Sequence, residues 1–128
     1  MIIIDDLLGI PFKIHGRDKN GFDCYGLVIE VSKRFGHQMV DMFYEYEKTN
    51  NVKKLDDNTY NIIWGNHLAK TDVPETSDIL LFFDNKGRTT HIGVYLSDDN
   101  FIHCDGNGVH VSKLSSYYRK WSVYKWQN

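Results

Sequence analysis

The run Gly21-Phe22-Asp23-Cys24-Tyr25-Gly26-Leu27-Val28 decides how this chain is read. From Cys24 to Phe35 the apolar residues Leu27, Val28, Val31 and Phe35 recur at helical spacing, Lys33 and Arg34 fall in the last turn, and Gly36 is a stop. Asp23 is a natural N-cap. Cys24 therefore opens a helix, where unpaired N–H groups and the positive end of the dipole favour a thiolate. A cysteine in a helix is more often a small packed hydrophobe than a reagent. Two histidines change the weighing: His91 opens His91-Ile92-Gly93-Val94-Tyr95-Leu96, and His103 closes Phe101-Ile102-His103. A thiol, a base and a group that orients the base are the parts a nucleophilic cysteine hydrolase needs.

Beyond Ile79 the apolar period changes to two. Ile79–Phe83, His91–Ser97, Asn100–Cys104, Gly108–Ser112 and Trp121–Trp126 read as five strands, separated by turn chemistry such as Asp84-Asn85-Lys86-Gly87 and Asp98-Asp99-Asn100. Short connections imply antiparallel neighbours. Helices first and strands second define an α+β domain, with the Cys24 helix covering one face of an antiparallel sheet of about five strands. Between them, the apolar spacing of 42–49 and 61–69 suits two short helices. On the first histidine strand His91, Gly93 and Tyr95 share a face, and His103 returns beside it after a short turn. Cys104 alternates away from His103 and is read as a small buried strand residue.

The 128 residues suit one domain over 1–128, and 41% hydrophobic content with 14% aromatics is ample for its core. A formal net charge of -2, with no basic cluster, gives no bulk attraction to nucleic acid or an anionic membrane. The N-terminal run Met1-Ile2-Ile3-Ile4-Asp5-Asp6 lacks the basic leader of a signal peptide, and no stretch has the roughly 20 apolar residues of a membrane span. Synthesis in the cytoplasm without a signal peptide is expected, with both cysteines free.

Taken in order, Gly21 to Val28, His91 to Leu96 and Phe101 to His103 resemble the three motifs of NlpC/P60 cysteine peptidases. Val73-Pro74-Glu75-Thr76-Ser77-Asp78-Ile79-Leu80 is similar to that family's entry into its first sheet strand, and Gly108-Val109 continues the likeness. The resemblance implies a papain-like fold and hydrolysis of peptidoglycan stem peptides, typically between D-γ-glutamate and a diamino acid. It also implies roles: Cys24 attacks and carries a thioester, His91 moves the proton, and His103 holds the His91 ring. The Cys24 backbone N–H would donate to the oxyanion. Asp23 is expected to cap rather than catalyse.

Three positions depart from the family pattern. Tyr25 stands where a serine often follows the nucleophile, Thr76-Ser77-Asp78 lacks the usual glycine, and Phe12 stands near the place of a family tyrosine. An aromatic residue after the cysteine is similar to the phage-tail branch, which implies a phage or prophage product acting at the cell wall beside other tail proteins. The alternative from another class is a non-enzymatic tail-assembly module that keeps the fold. A zinc site on Cys24, His91 and His103 is a weaker option, because no close ligand pair anchors it. No cofactor and no metal are therefore expected. His15, His37, His67 and His110 are given no functional role, and Trp64, Trp121 and Trp126 are read as core.

Overall fold

The computed structural model describes residues 3–39, 41 and 67–127. Among them one helix, α1 (Cys24–Arg34), and eight strands follow in the order β1 (Arg17–Asp18), β2 (Gly21–Phe22), α1, β3 (Leu68–Thr71), β4 (Ile79–Phe83), β5 (Thr89–Ser97), β6 (Asn100–Asp105), β7 (Gly108–Lys113) and β8 (Lys120–Trp126). The last six form one antiparallel sheet in the order β3-β8-β4-β5-β6-β7, and β1 pairs with β2 in a separate hairpin. The α+β reading holds. The sheet has six strands rather than five because Leu68–Thr71 pairs with β8 and adds an edge. Its short, half-exposed sequence offers no alternation to read.

The helix forms where capping and apolar spacing agree. Asp23 is extended and accepts the Gly26 N–H at 2.6 Å, while Lys33 and Arg34 complement the last turn. Leu27, Val28 and Val31 are fully buried and meet Ile92, Val94, Ile102 and Cys104 from the sheet. Each such aliphatic side chain stabilises the domain by about 1.5–3 kcal/mol, so Leu27→Ala, which also opens a cavity, costs about 2–5 kcal/mol. Gly26 has no room for a side chain: a Cβ there would run into the Gly16 carbonyl oxygen. That close approach locks the β1–β2 hairpin onto the start of α1.

The opposite face of the sheet carries a second, smaller core of Leu80, Phe82, Phe101, Leu114 and Val123, with Tyr95 and Tyr117 against it. Period-two alternation thus divides β5 and β6 between two environments. Ile92, Val94, Ile102 and Cys104 face the helix, and His91, Tyr95, Phe101 and His103 face the aromatic side. The expected helix at 42–49 lies outside the described residues. Of the one expected at 61–69, residues 61–66 also lie outside, and from Leu68 the chain is strand, not helix. Trp121, expected in the core, is 37% exposed on β8, whereas Trp126 stacks on His37 at 4.7 Å.

Candidate active site

Cys24 sits in the first turn of α1, half-buried. Its thiol is not activated at rest in the way the helix terminus suggests. Burial pushes it up to about 12, helped by the carboxylate of Asp23, and this outweighs the N–H groups of Ile92 and Tyr25 that face the sulfur. The residue that caps the helix therefore works against the thiolate. Asp23 is itself held by Arg17 at 2.7 Å, and the same guanidinium reaches Asp41 at 3.0 Å and the Gly16 carbonyl at 2.8 Å. Asp23 acts as the cap that the sequence suggested, and the ion pair with Arg17 adds to that role.

The two histidines meet across β5 and β6. Gly93 is paired with His103, so His91, two residues earlier on the same face, is the diagonal neighbour. His91 Nε2 lies 2.7 Å from His103 Nδ1. Gly93 makes this possible, since a Cβ there would press on Phe101, the Ile102 carbonyl and His103. On the far side His103 Nε2 lies 2.8 Å from Ser112 Oγ on β7. Phe82, directly opposite His91, and Tyr117, 5.5 Å from the His103 ring, wall in the pair. Burial pulls His91 down to about 4 and His103 to about 3, so both rings are neutral near pH 7.

His91 and His103 line a cleft of about 270 Å³ with Asp105, His110, Tyr118 and Arg119 among its walls. Cys24 comes to the sheet from the helix side. Its sulfur meets the backbone N–H of Ile92, the residue after His91, and among the described residues no side-chain hydrogen bond joins Cys24 to His91. Cys104, the other cysteine, is fully buried on the helix side and donates its S–H to the Phe22 carbonyl at 3.2 Å. It is structural, as expected.

Sequence reasoning missed Ser112 and His110. Both follow from one register: the turn at Gly106-Asn107 pairs Asp105 with Gly108, which sets His103 opposite His110 and Ser112 one step further along the same face. The turn residues were legible; the register that turns them into neighbours of His103 was not drawn from them.

A capped helix that presents a thiol to an antiparallel sheet bearing a histidine pair is the layout of the papain-like α+β class. Residues 9–127 match the NlpC/P60 family, and the chain belongs to it. Among curated relatives it is 27% identical over 114 residues to the probable peptidoglycan endopeptidase LytE of Bacillus subtilis, covering 89% of this chain and 29% of that protein. It is 29% identical to a probable endopeptidase of Haemophilus influenzae (93% and 65% covered) and 25% identical to the murein DD-endopeptidase MepS/murein LD-carboxypeptidase of Escherichia coli K12 (90% and 53%). The chain therefore spans less than two thirds of each of these relatives. Solved structures agree on the fold: NlpC2 from Trichomonas vaginalis superposes with a TM-score of 0.67 at 21% identity (95% of this chain, 45% of that one). The NlpC/p60 domain of the peptidoglycan hydrolase SagA does so at 0.56 and 20% (93% and 90%).

Proposed function

We propose that residues 1–128 form one catalytic domain, a cysteine peptidase that cuts amide bonds in peptidoglycan stem peptides, of the D-γ-glutamyl-diamino acid type. The observation that carries the reading is the bond from His91 Nε2 to His103 Nδ1 in a chain of this family with a thiol at the head of α1. With Nε2 committed, Nδ1 is the nitrogen of His91 left to take a proton. A neutral His91 protonated on Nε2 donates to His103 Nδ1, and His103 in turn donates its Nε2–H to Ser112 Oγ. That sequence of donors leaves the His91 Nδ1 lone pair open.

At rest a neutral thiol and a neutral imidazole suit general-base attack better than a preformed ion pair. The Cys24 sulfur rests against the Ile92 N–H, one residue from His91, and once a rotation of the two side chains brings it to His91 Nδ1, that nitrogen takes its proton as sulfur adds to the scissile carbonyl. The oxyanion receives the Cys24 backbone N–H at the helix N-terminus, and His91 returns the proton to the leaving amine. Water then adds to the thioester with His91 taking its proton, the C–S bond breaks to release the acid, and His91 returns the proton to the departing sulfur. The endopeptidase relatives support the substrate class.

A second reading, a tail-assembly module in a phage particle, draws on Phe12. The Phe12 backbone bridges to Phe22 beside the cysteine loop, and its ring, 43% exposed, cannot supply the hydroxyl of the family tyrosine. An enzyme carried on a virion tail, made in the cytoplasm and acting at the wall, would unite the two readings. The deciding experiment is incubation of wild type and Cys24→Ala with purified stem peptides and mass analysis of the products. Cleavage by wild type alone is expected, at one amide bond. No cleavage by folded, reduced wild type across a range of stem peptides would move the assignment to the assembly module.

A further inference from the structure

We infer that His103, Asp105 and His110 form a binding site for a zinc-like transition-metal ion, and that filling it switches the histidine pair off. The switching half rests on the catalytic reading above; the binding half does not.

One ligand atom from each of the three residues lies within 4.8 Å of the others. Donors around tetrahedral zinc, at 2.0–2.1 Å from the metal, are about 3.3 Å apart. His110 Nε2 and Asp105 Oδ2 already stand 3.5 Å apart, so only modest side-chain rotation is needed to close the set. Two imidazoles and one carboxylate are a zinc-type donor set that leaves a fourth position for water, and the cleft of about 270 Å³ has room for it.

A hydrogen bond behind His110 already orients its ring. His110 Nδ1 lies 3.0 Å from the Gly108 carbonyl, which can only accept, so this nitrogen carries the proton. The Nε2 lone pair of His110 is thereby left free on the side of Asp105, the arrangement in which imidazoles are held for metals. All three residues belong to one hairpin, with His103 paired to His110 and Asp105 to Gly108, so the scaffold is rigid. Arg119 lines the same cleft and opposes a dication, which keeps the site weaker than a structural zinc centre.

The consequence for His91 follows from the bonds His103 already makes. Its Nδ1 is engaged by His91 and its Nε2 by Ser112. A metal on Nδ1 takes the atom that holds the His91 ring. A metal on Nε2 leaves the His103 proton on Nδ1, where it donates to His91 Nε2; the neutral His91 then carries its own proton on Nδ1 and cannot accept one from the thiol. Either ligation disarms the base, and Cys24 takes no part.

The test is calorimetric titration of the full chain with zinc, with cobalt(II) absorption as a second readout, on wild type, Cys24→Ala, His110→Ala and Asp105→Asn. One zinc per chain is expected for wild type and Cys24→Ala with equal affinity, weakened about tenfold or more in the other two. Zinc should inhibit stem-peptide cleavage by wild type, reversibly with chelator, while His110→Ala keeps cutting at the same zinc concentration. Should zinc bind to neither wild type nor Cys24→Ala, or should it need Cys24 and ignore His110, the site is refuted. Equal inhibition of wild type and His110→Ala refutes the switch. Because binding is read without activity, failure of the metal site and failure of the peptidase reading give different results.

Discussion

His91 Nε2 and His103 Nδ1 lie 2.7 Å apart across β5 and β6, and Ser112 Oγ continues the chain 2.8 Å beyond. Because both rings are neutral near pH 7, only two arrangements of protons satisfy both bonds, and only one leaves His91 Nδ1 open. Replacing His103 by Ala removes the acceptor and frees the His91 ring, and the expected loss in kcat is on the order of 1,000-fold, with KM little changed. His103→Asn keeps an amide oxygen able to accept the Nε2–H of His91 and is expected to retain more, losing about 10- to 100-fold. Steady-state kinetics on a stem peptide decides it. Equal losses in the two variants would mean that His103 does more than orient.

The buried histidines also set how the fold responds to acid. His91 and His103 stand at about 4 and about 3, below the 6.5 of an unfolded histidine, because burial disfavours the charged rings. Between those values and 6.5 the unfolded chain binds protons that the folded chain does not. Stability from this pair is therefore fully present above pH 6.5 and is lost as pH falls towards 4. Each histidine contributes a slope of up to about 1.4 kcal/mol per pH unit. Denaturant titrations at pH 7.5, 6, 5 and 4 should show the decline, and His103→Asn should make it shallower. A wild-type curve flat from 7.5 to 4 would contradict the neutral pair.

Most of this layout was legible because it rests on local rules. The α1 boundaries follow from a cap, an apolar stripe and a basic last turn, and the five alternating strands from period two. The edge strand Leu68–Thr71 was not, since its pairing with β8 is a long-range event with no local signature. The same distinction runs through the site. Cys24, His91 and His103 stood out as residues, whereas the roles of Ser112 and His110 depend on the β6–β7 register. The charge state of Cys24 was not legible for a related reason: the helix terminus is a local property, while the burial that opposes it comes from the sheet.

A thiol raised to about 12 by burial, then by Asp23, predicts slow chemistry of its own. Alkylation of Cys24 by iodoacetamide in native protein should keep rising through pH 9 rather than level off near 7, since the thiolate fraction grows throughout that range. Asp23→Asn keeps a good N-cap but removes the charge, so its profile should move to lower pH, at the cost of the ion pair to Arg17. Mass analysis of alkylated protein over time reads both. A plateau near pH 7 in wild type would instead point to a preformed thiolate and imidazolium pair.

Thr76-Ser77-Asp78 lacks the glycine usual in the family pattern, and at Ser77 the backbone bears a cost that glycine would not. The Ser77 φ is 78°, in the left-handed region that glycine enters freely and other residues enter at about 1–2 kcal/mol. The conformation is fixed from both sides: the Ser77 N–H donates to the Tyr95 carbonyl at 2.9 Å, and the Ser77 carbonyl accepts Trp126 Nε1 at 3.1 Å. The Ser77 hydroxyl makes no hydrogen bond among the described residues, so little is lost by removing it. Glycine gives up more backbone freedom on folding, which takes back about 0.5–1 kcal/mol of the gain. Ser77→Gly is therefore expected to stabilise the domain by about 0.5–1 kcal/mol, raising Tm by roughly 2–6 °C. Ser77→Val, with a branched Cβ at the same φ, should lower it. Thermal unfolding of the two variants at one pH tests the sign of each, and a lower Tm for Ser77→Gly would show that the serine side chain is held by something other than its backbone.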